Sequence, residues 1–432
     1  MTYRDVVSRQ VLTWACTAVG ARMPVAMAPL ALVFLVRERP GGYSLGAILA
    51  AAFVIGEIGC APVLGMRLRP ERARVQLAVG LACGTLGFLG LGVFPGAHPA
   101  VLAGFACVAG GAPAAATGGL RTLLTELVPA RSVAQALSVE SILTAGGWAV
   151  SPAAVAGLAL GVAPRVPLLL AAGLMAWSVA GLWLLPARWG AGGEGGGGAA
   201  PLLRVLVGAW PVYVTGAASL ALLGLSELVL PALLEQRGIA VGWSGPLLAG
   251  MAIGGGFGAF GYGIRNWPGL LRTRSAVLMA GTSACVALAA LIPATAGIAA
   301  TVGIAGALAV GGALQSGAML TRNLSLREVL PPSALAAGYS LMYAAAGAGY
   351  AATGSLAGAL LRVVAPSTAI LAGVCLTMAL VVTGWWGEVR RAGRATGGAG
   401  VAVALGGVGA EPVADGAEGA AIRGRGDPEG RL

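Results

Sequence analysis

Twelve long apolar runs, separated by short polar stretches, constrain this chain more than any other feature. They cover roughly 11–36, 44–64, 75–94, 100–124, 133–162, 166–185, 205–234, 244–264, 275–292, 297–320, 335–363 and 367–385. A helix of ~20 residues crosses the hydrocarbon core of a bilayer. Only helices and closed barrels do so, because no water is present there to satisfy the backbone N–H and C=O groups. With 57% apolar residues, 10% charged residues and a mean hydropathy of +0.86, the chain lies outside the range of soluble domains. The expectation is an all-α polytopic membrane protein with twelve transmembrane helices and the lipid bilayer as its first partner.

The net charge of +11 would point to nucleic acid in a soluble protein. Here all 27 basic residues are Arg, gathered in short clusters between apolar runs. Arg67, Arg69, Arg72 and Arg74, then Arg272 and Arg274, then Arg390 and Arg391 fall on one set of loops and ends. The alternate loops carry only Arg37, Arg39, Arg165, Arg237 and Arg362. Such asymmetry sets topology and places both termini in the cytoplasm; no nucleic-acid partner is expected. Arg without Lys, beside abundant Ala, Gly and Pro, matches GC-rich codon usage and a bacterial inner membrane. The first run has no small-residue cleavage site and reads as a retained helix. Six cysteines inside apolar runs, without CxxC spacing, read as small core residues, with no metal or disulfide framework.

An internal repeat organises the runs. Gly65-Met-Arg67-Leu-Arg-Pro70 follows the second run, and Gly263-Ile-Arg265-Asn-Trp-Pro268 follows the eighth, an offset of 198 (263 − 65). Glu126, Pro129, Ala134, Ser138, Gly147 and Trp148 match Glu328, Pro331, Ala336, Ser340, Gly349 and Tyr350 at an offset of 202 (328 − 126). These matches predict duplicated six-helix halves. An even number of helices per half makes the repeats parallel. The halves are residues 1–189 and 201–386, joined by a flexible Gly-rich linker at 190–200 and followed by a disordered cytoplasmic tail at 387–432.

Two parallel six-helix halves, cytoplasmic termini, a central inner linker and an Arg-rich loop after the second helix together resemble the major facilitator superfamily over residues 9–390. The superfamily's loop signature is G-x-x-x-D-R-x-G-R-R, and here Gly65 and Arg74 match while Arg69 stands at the Asp position and Pro70 at the next. Gly147-Trp-Ala-Val-Ser151-Pro152 in the fifth run is similar to the exporters' G-x-x-x-G-P. The resemblance implies alternating access, in which two halves rock about a central site. It makes Gly65, Arg67, Pro70, Arg74, Gly263, Arg265 and Pro268 conformational loop positions, and Gly147, Ser151 and Pro152 a helix-five motif.

Ionisable groups inside spans are costly, ~2.5–3.5 kcal/mol each at a helix centre, and mark function. Arg22 lies in the first run, beside Pro24, which should loosen the helix. Glu57, Glu140 and Glu227 lie in the second, fifth and seventh. Arg22 is expected to pair with Glu57 or Glu140, since an isolated buried charge is too costly to keep. One of the carboxylates would carry the proton that couples transport, Glu140 first. Arg121 and Arg322, at matching inner ends of the fourth and tenth runs, read as interface anchors or contacts between halves.

An enzyme would need a nucleophile, a metal cluster or an acid–base set. The lone His98 lies in a loop, and no HExxH, nucleophile elbow or phosphate-cradling loop is present. Gly254–Gly261 lies inside an apolar run and reads as a helix-packing surface. No enzymatic activity, cofactor or metal is expected. The expected function is secondary active transport as a monomer, by proton-coupled export of a small amphipathic compound. An uptake permease for a polar or anionic solute recognised by Arg22, and a transport-inactive sensor or assembly subunit, are the alternatives.

Overall fold

The computed structural model describes residues 8–40, 42–186, 199–265, 267–293 and 298–406. The expected linker, but for its last two residues, and the tail beyond Gly406 lie outside the described residues. Fourteen α-helices are present among the described residues: α1 (Arg9–Val36), α2 (Gly42–Arg67), α3 (Ala73–Val93), α4 (Pro99–Gly111), α5 (Ala115–Leu127), α6 (Val133–Gly161), α7 (Val166–Trp183), α8 (Ala199–Gly208), α9 (Trp210–Gln236), α10 (Ser244–Ile264), α11 (Leu271–Leu291), α12 (Ile298–Val329), α13 (Leu335–Leu360) and α14 (Pro366–Gly406). The chain resolves into two units, Met1–Glu388 and Val389–Leu432. The second holds the end of α14, and the first holds all the other helices.

Local chemistry sets most helix boundaries. Ser8 caps α1 by accepting from the Val11 N–H at 3.2 Å. His98 caps α4 in the same way, its Nδ1 accepting from the Ala100 N–H at 3.2 Å, ahead of Pro99 at the first helical position. Gly269, at φ +84°, turns the chain toward α11 in a conformation that a side chain would strain. Pro113 splits the fourth apolar run into α4 and α5, because it donates no N–H to the preceding turn. Similarly, Pro211 sits at the second position of α9, separating it from α8. By contrast α1 runs unbroken through Pro24 and Pro29, so Pro24 does not interrupt the helix beside Arg22. The last helix continues through Gly406, beyond the end expected at Trp386.

Eleven helical stretches among the described residues are long and apolar enough to cross a membrane, from Arg9–Val36 to Pro366–Arg391, with Pro99–Leu127 as one stretch. Their outer faces agree: Ile55 is 70% exposed and Phe257 73% exposed. Side chains of that kind belong in lipid rather than water. The fold is all-α, polytopic and membrane-spanning.

The helices pack in two sets. In one, α1 lies against α2, α6 and α7, and α3 and α4 pack together with α7 and α2. In the other, α9 pairs with α13, while α10 and α11 flank α12. Glycine allows the closest approaches: Gly254 and Gly258 of α10 meet the backbones of Ala309 and Ala313 on α12 with no room for a Cβ. The Gly-rich stretch of the eighth run is therefore a packing seam, as small residues provide where lipid removes the hydrophobic drive. The cysteines depart from expectation. Cys16, Cys107 and Cys375 are exposed and the other three are partly so; all are free. On helices surrounded by lipid an apolar thiol is stable on the outer face, so burial is not required of it.

Candidate functional site

Helices α1, α5 and α6 bring three charges together. Glu140 on α6 is 1% exposed and accepts a hydrogen bond from the Arg22 guanidinium of α1. Its two oxygens also share the Nε–H of Arg121 from α5, at 2.8 and 2.9 Å. Arg22 donates again to Thr144 Oγ1, one turn beyond Glu140, at 3.0 Å. One carboxylate thus serves two guanidiniums. Trp14 fixes the register of α1 on α5 by donating its indole N–H to the Leu120 carbonyl at 2.7 Å, so Arg22 reaches α6 rather than lipid.

Glu57 of α2 is also buried, but its environment differs. Its carboxylate accepts from the Tyr343 hydroxyl of α13 at 2.8 Å, and no ion pair reaches it among the described residues. A small, partly open pocket lies between Glu57 and Arg22, walled by Val25, Pro113 and Thr117. On its other side Arg22 borders a narrow, open groove between α1 and α6, lined by Trp14, Val19, Met23, Leu143, Gly147 and Trp148. Arg22 therefore faces two spaces, one shared with the Glu57 carboxylate and one mostly apolar.

The two helix sets meet around this cluster, toward the end of the helices that carries Arg67–Arg74 and Arg272–Arg274. Arg121 donates to Asn323 Oδ1 of α12 at 3.1 Å, and its guanidinium lies 5.5 Å from the Tyr339 ring centre. Arg327 reaches the Thr125 carbonyl at 3.4 Å, and Ser138 of α6 donates to the Ala259 carbonyl of α10 at 2.6 Å. Gly65 of α2 takes the Ser340 side chain of α13: a Cβ there would lie 2.6 Å from it. Farther along α6, Gly146, Gly147 and Gly157 have no atoms within 4 Å of where a Cβ would stand.

The loop motifs build different corners. After α2, Gln76 bonds both the Arg67 carbonyl and the Arg69 N–H, at 3.0 and 2.8 Å, and Pro70 opens a short 3-10 turn. Arg74 bonds the Leu185 carbonyl and lies over the Trp183 ring, tying α3 to the end of α7. After α10, Tyr262 stacks on Trp267 with ring centres 5.6 Å apart, and Arg274 bonds the Tyr262 hydroxyl at 2.9 Å. Arg265 lies over the Trp267 ring. Gly263 and Pro268 bound this aromatic corner, where Arg274 also bonds the Trp267 and Gly269 carbonyls. Ser151 of the helix-five motif bonds back to the Gly147 carbonyl at 2.6 Å, just before Pro152.

Three of the four charges singled out in the sequence, Arg22, Glu57 and Glu140, converge. Glu227 does not; it lies on α9 and accepts from the Tyr350 hydroxyl at 2.9 Å. Arg322, 1% exposed, pairs with Glu388 of α14 and bonds Thr215 at 3.0 Å. Sequence reasoning missed Tyr343, Tyr339, Asn323 and Thr144, because neutral side chains carry no insertion penalty large enough to stand out. The repeat offset held one usable signal, since it aligns Arg121 with Asn323. Among the described residues no three His, Cys, Asp or Glu side chains gather as a metal site would need.

No family model matches the chain, and no curated protein matches it. Solved structures do. The fold is similar to that of the E. coli fucose:proton symporter FucP, with a TM-score of 0.69 at 14% identity over 88% of this chain and 98% of that one. It is similar also to a bacterial homologue of the iron transporter ferroportin in an outward-facing state, with a TM-score of 0.66 at 16% identity over 88% of this chain and 97% of that one. FucP in the outward conformation, described as a major facilitator superfamily transporter, gives 0.64 at 14% identity over 88% of this chain and 99% of that one. The protein has a major-facilitator-like polytopic membrane fold.

Proposed function

We propose that this protein is a secondary active transporter that moves a small amphipathic solute across a bacterial inner membrane by alternating access, coupled to protons. Its twelve spans would be the eleven apolar stretches together with α13, arranged as two parallel six-helix halves. The pairs that touch between the helix sets support the duplication: Arg121 with Asn323, and Thr125 with Arg327, each stand 202 positions apart (323 − 121 and 327 − 125). Residues related by a two-fold axis touch only near that axis. With the Arg-rich end and both termini inward, these contacts close the cytoplasmic side.

The observation that carries the proton coupling is the contrast between the two buried carboxylates. Glu140 is clamped by two guanidiniums, so a proton there would break both ion pairs. Glu57 has only a hydroxyl donor, from a helix of the opposite set, and faces a cavity. A proton can arrive at and leave Glu57 as α2 and α13 separate, which makes it the coupling group and Glu140 the anchor. Apolar walls beside a single cation suit an amphipathic solute. Export by antiport, expected from the α6 motif, is one direction for such a machine; the charges around Arg22 bear on the other.

The test is substrate-driven proton flux in proteoliposomes, read by an internal pH dye over a panel of amphipathic compounds. Wild type should show flux with at least one compound. Glu57→Gln should lose the flux yet keep solute exchange across the membrane. Folded protein that moves neither protons nor solute would leave the sensor reading in its place.

A further inference from the structure

The charges in and beside the cavity do not cancel in the usual one-to-one way. Arg22 and Arg121 share Glu140, leaving one positive charge unmatched by an ion pair among the described residues. Arg322, also buried, pairs with Glu388. Arg22 is the exposed member of its pair, its side chain 15% accessible against 1% for Glu140. Its Nε is buried and has no hydrogen-bond partner. A guanidinium with spare donor capacity between the pocket at Glu57 and an apolar groove is built to receive an acid group.

Resting on the proton-coupled reading, we infer that the solute is an organic monoanion whose acid group pairs with Arg22 while its apolar part lies in the groove between α1 and α6, and that it crosses together with one proton bound to Glu57. The reason is electrostatic. During the switch the site is shut from water on both sides, and a net charge left in so apolar an interior is strongly unfavourable. Two loadings are neutral. With the site empty, Glu57 is ionised and balances the spare cation. With the anion bound, Glu57 holds a proton taken from water on the entry side and released to water on the exit side. An anion without the proton leaves one negative charge, and a proton without the anion leaves one positive charge. Both half-loaded states are held back, so the two species travel together and no net charge moves.

The charged and titratable groups that face Glu57 are few. Across the cavity α1 presents Arg22, and α13 presents Tyr343. From α5 comes Thr117 in the cavity wall, with Arg121 one turn farther on. Cys107 is what α4 offers, against the backbone at Gly56. None of these except Arg22 is free to exchange its partner for a solute.

The probe is hexanesulfonate, which stays charged at all usable pH and does not cross lipid in a protonated form. Hexyltrimethylammonium and hexyl glucoside serve as its cationic and neutral counterparts. Purified wild-type protein should gain thermal stability with hexanesulfonate only, and Arg22→Gln should weaken that affinity at least tenfold. Glu57→Gln should bind hexanesulfonate with no dependence on pH. In proteoliposomes an imposed hexanesulfonate gradient should drive protons in the same direction, one per anion, at a rate indifferent to a clamped membrane potential. Equal stabilisation by all three probes, or by none, overturns the anion site. Protons driven by the cation or the neutral probe overturn it too, while leaving the proton-coupled reading intact. Stabilisation by hexanesulfonate without any proton movement overturns the co-transport and the proton-coupled reading, and leaves the anion site alone standing.

Discussion

Arg121 of α5 and Asn323 of α12 are hydrogen-bonded at 3.1 Å and stand 202 positions apart, the same offset that relates Glu126 to Glu328 and Ser138 to Ser340. The repeat aligns a cation in the first helix set with a neutral amide in the second. One member holds the buried carboxylate and the other ties the two sets together.

That bond closes the Arg-rich end, so Asn323→Ala should favour its opening. A hydrogen bond to a charged group contributes about 1.5–3 kcal/mol, which corresponds to a roughly tenfold or greater rise in the open population. Thiol labelling of Ser340→Cys in a cysteine-free background should become faster by that order. An unchanged labelling rate would remove this contact from the gate.

Gly118 of α5 faces the Ala336 carbonyl and Ser340 N of α13, where a Cβ would lie 2.6 and 2.8 Å away. Since backbone cannot yield cheaply, Gly118→Ala should hold α5 and α13 apart and raise labelling at the same end. Gly147→Ala meets nothing within 4 Å and should leave gate and stability unaltered. Equal effects of the two substitutions would contradict the packing.

Removing one partner of a buried ion pair costs ~3–5 kcal/mol when a charge is left alone. Arg22→Ala leaves Glu140 with Arg121 and should cost less than that. Glu140→Gln strands two guanidiniums and should cost more, seen as lower abundance and melting temperature. The double variant should be less damaging than the sum of the two. Additive effects would dismiss the triad as a unit.

Arg322 and Glu388 make a second test, within the other helix set. Glu388→Ala leaves Arg322 buried without its carboxylate and should lower thermal stability by several degrees or prevent accumulation. Adding Arg322→Met should restore much of it, because a well-packed apolar pair can replace a buried ion pair. Failure of that rescue would mean that Glu388 acts otherwise than through Arg322.

The sequence by itself determined the apolar stretches that span the membrane and many of their ends, although α12 runs on to Val329 and α14 to Gly406. Apolar run length answers directly to bilayer thickness, and prolines such as Pro99 and Pro113 and caps such as Ser8 act within a few residues. It also determined that Arg22 needs a carboxylate, since burial of a lone charge is a cost that sequence alone reveals. Which carboxylate it takes is a matter of helix rotation and neighbours separated by more than a hundred residues, so only the tertiary structure decided for Glu140 over Glu57. The same packing brought in Arg121, gave Glu57 the hydroxyl of Tyr343, and sent Glu227 to Tyr350. Neutral tyrosines leave no mark on a hydropathy profile, and the roles of the two carboxylates separate only when their partners are seen.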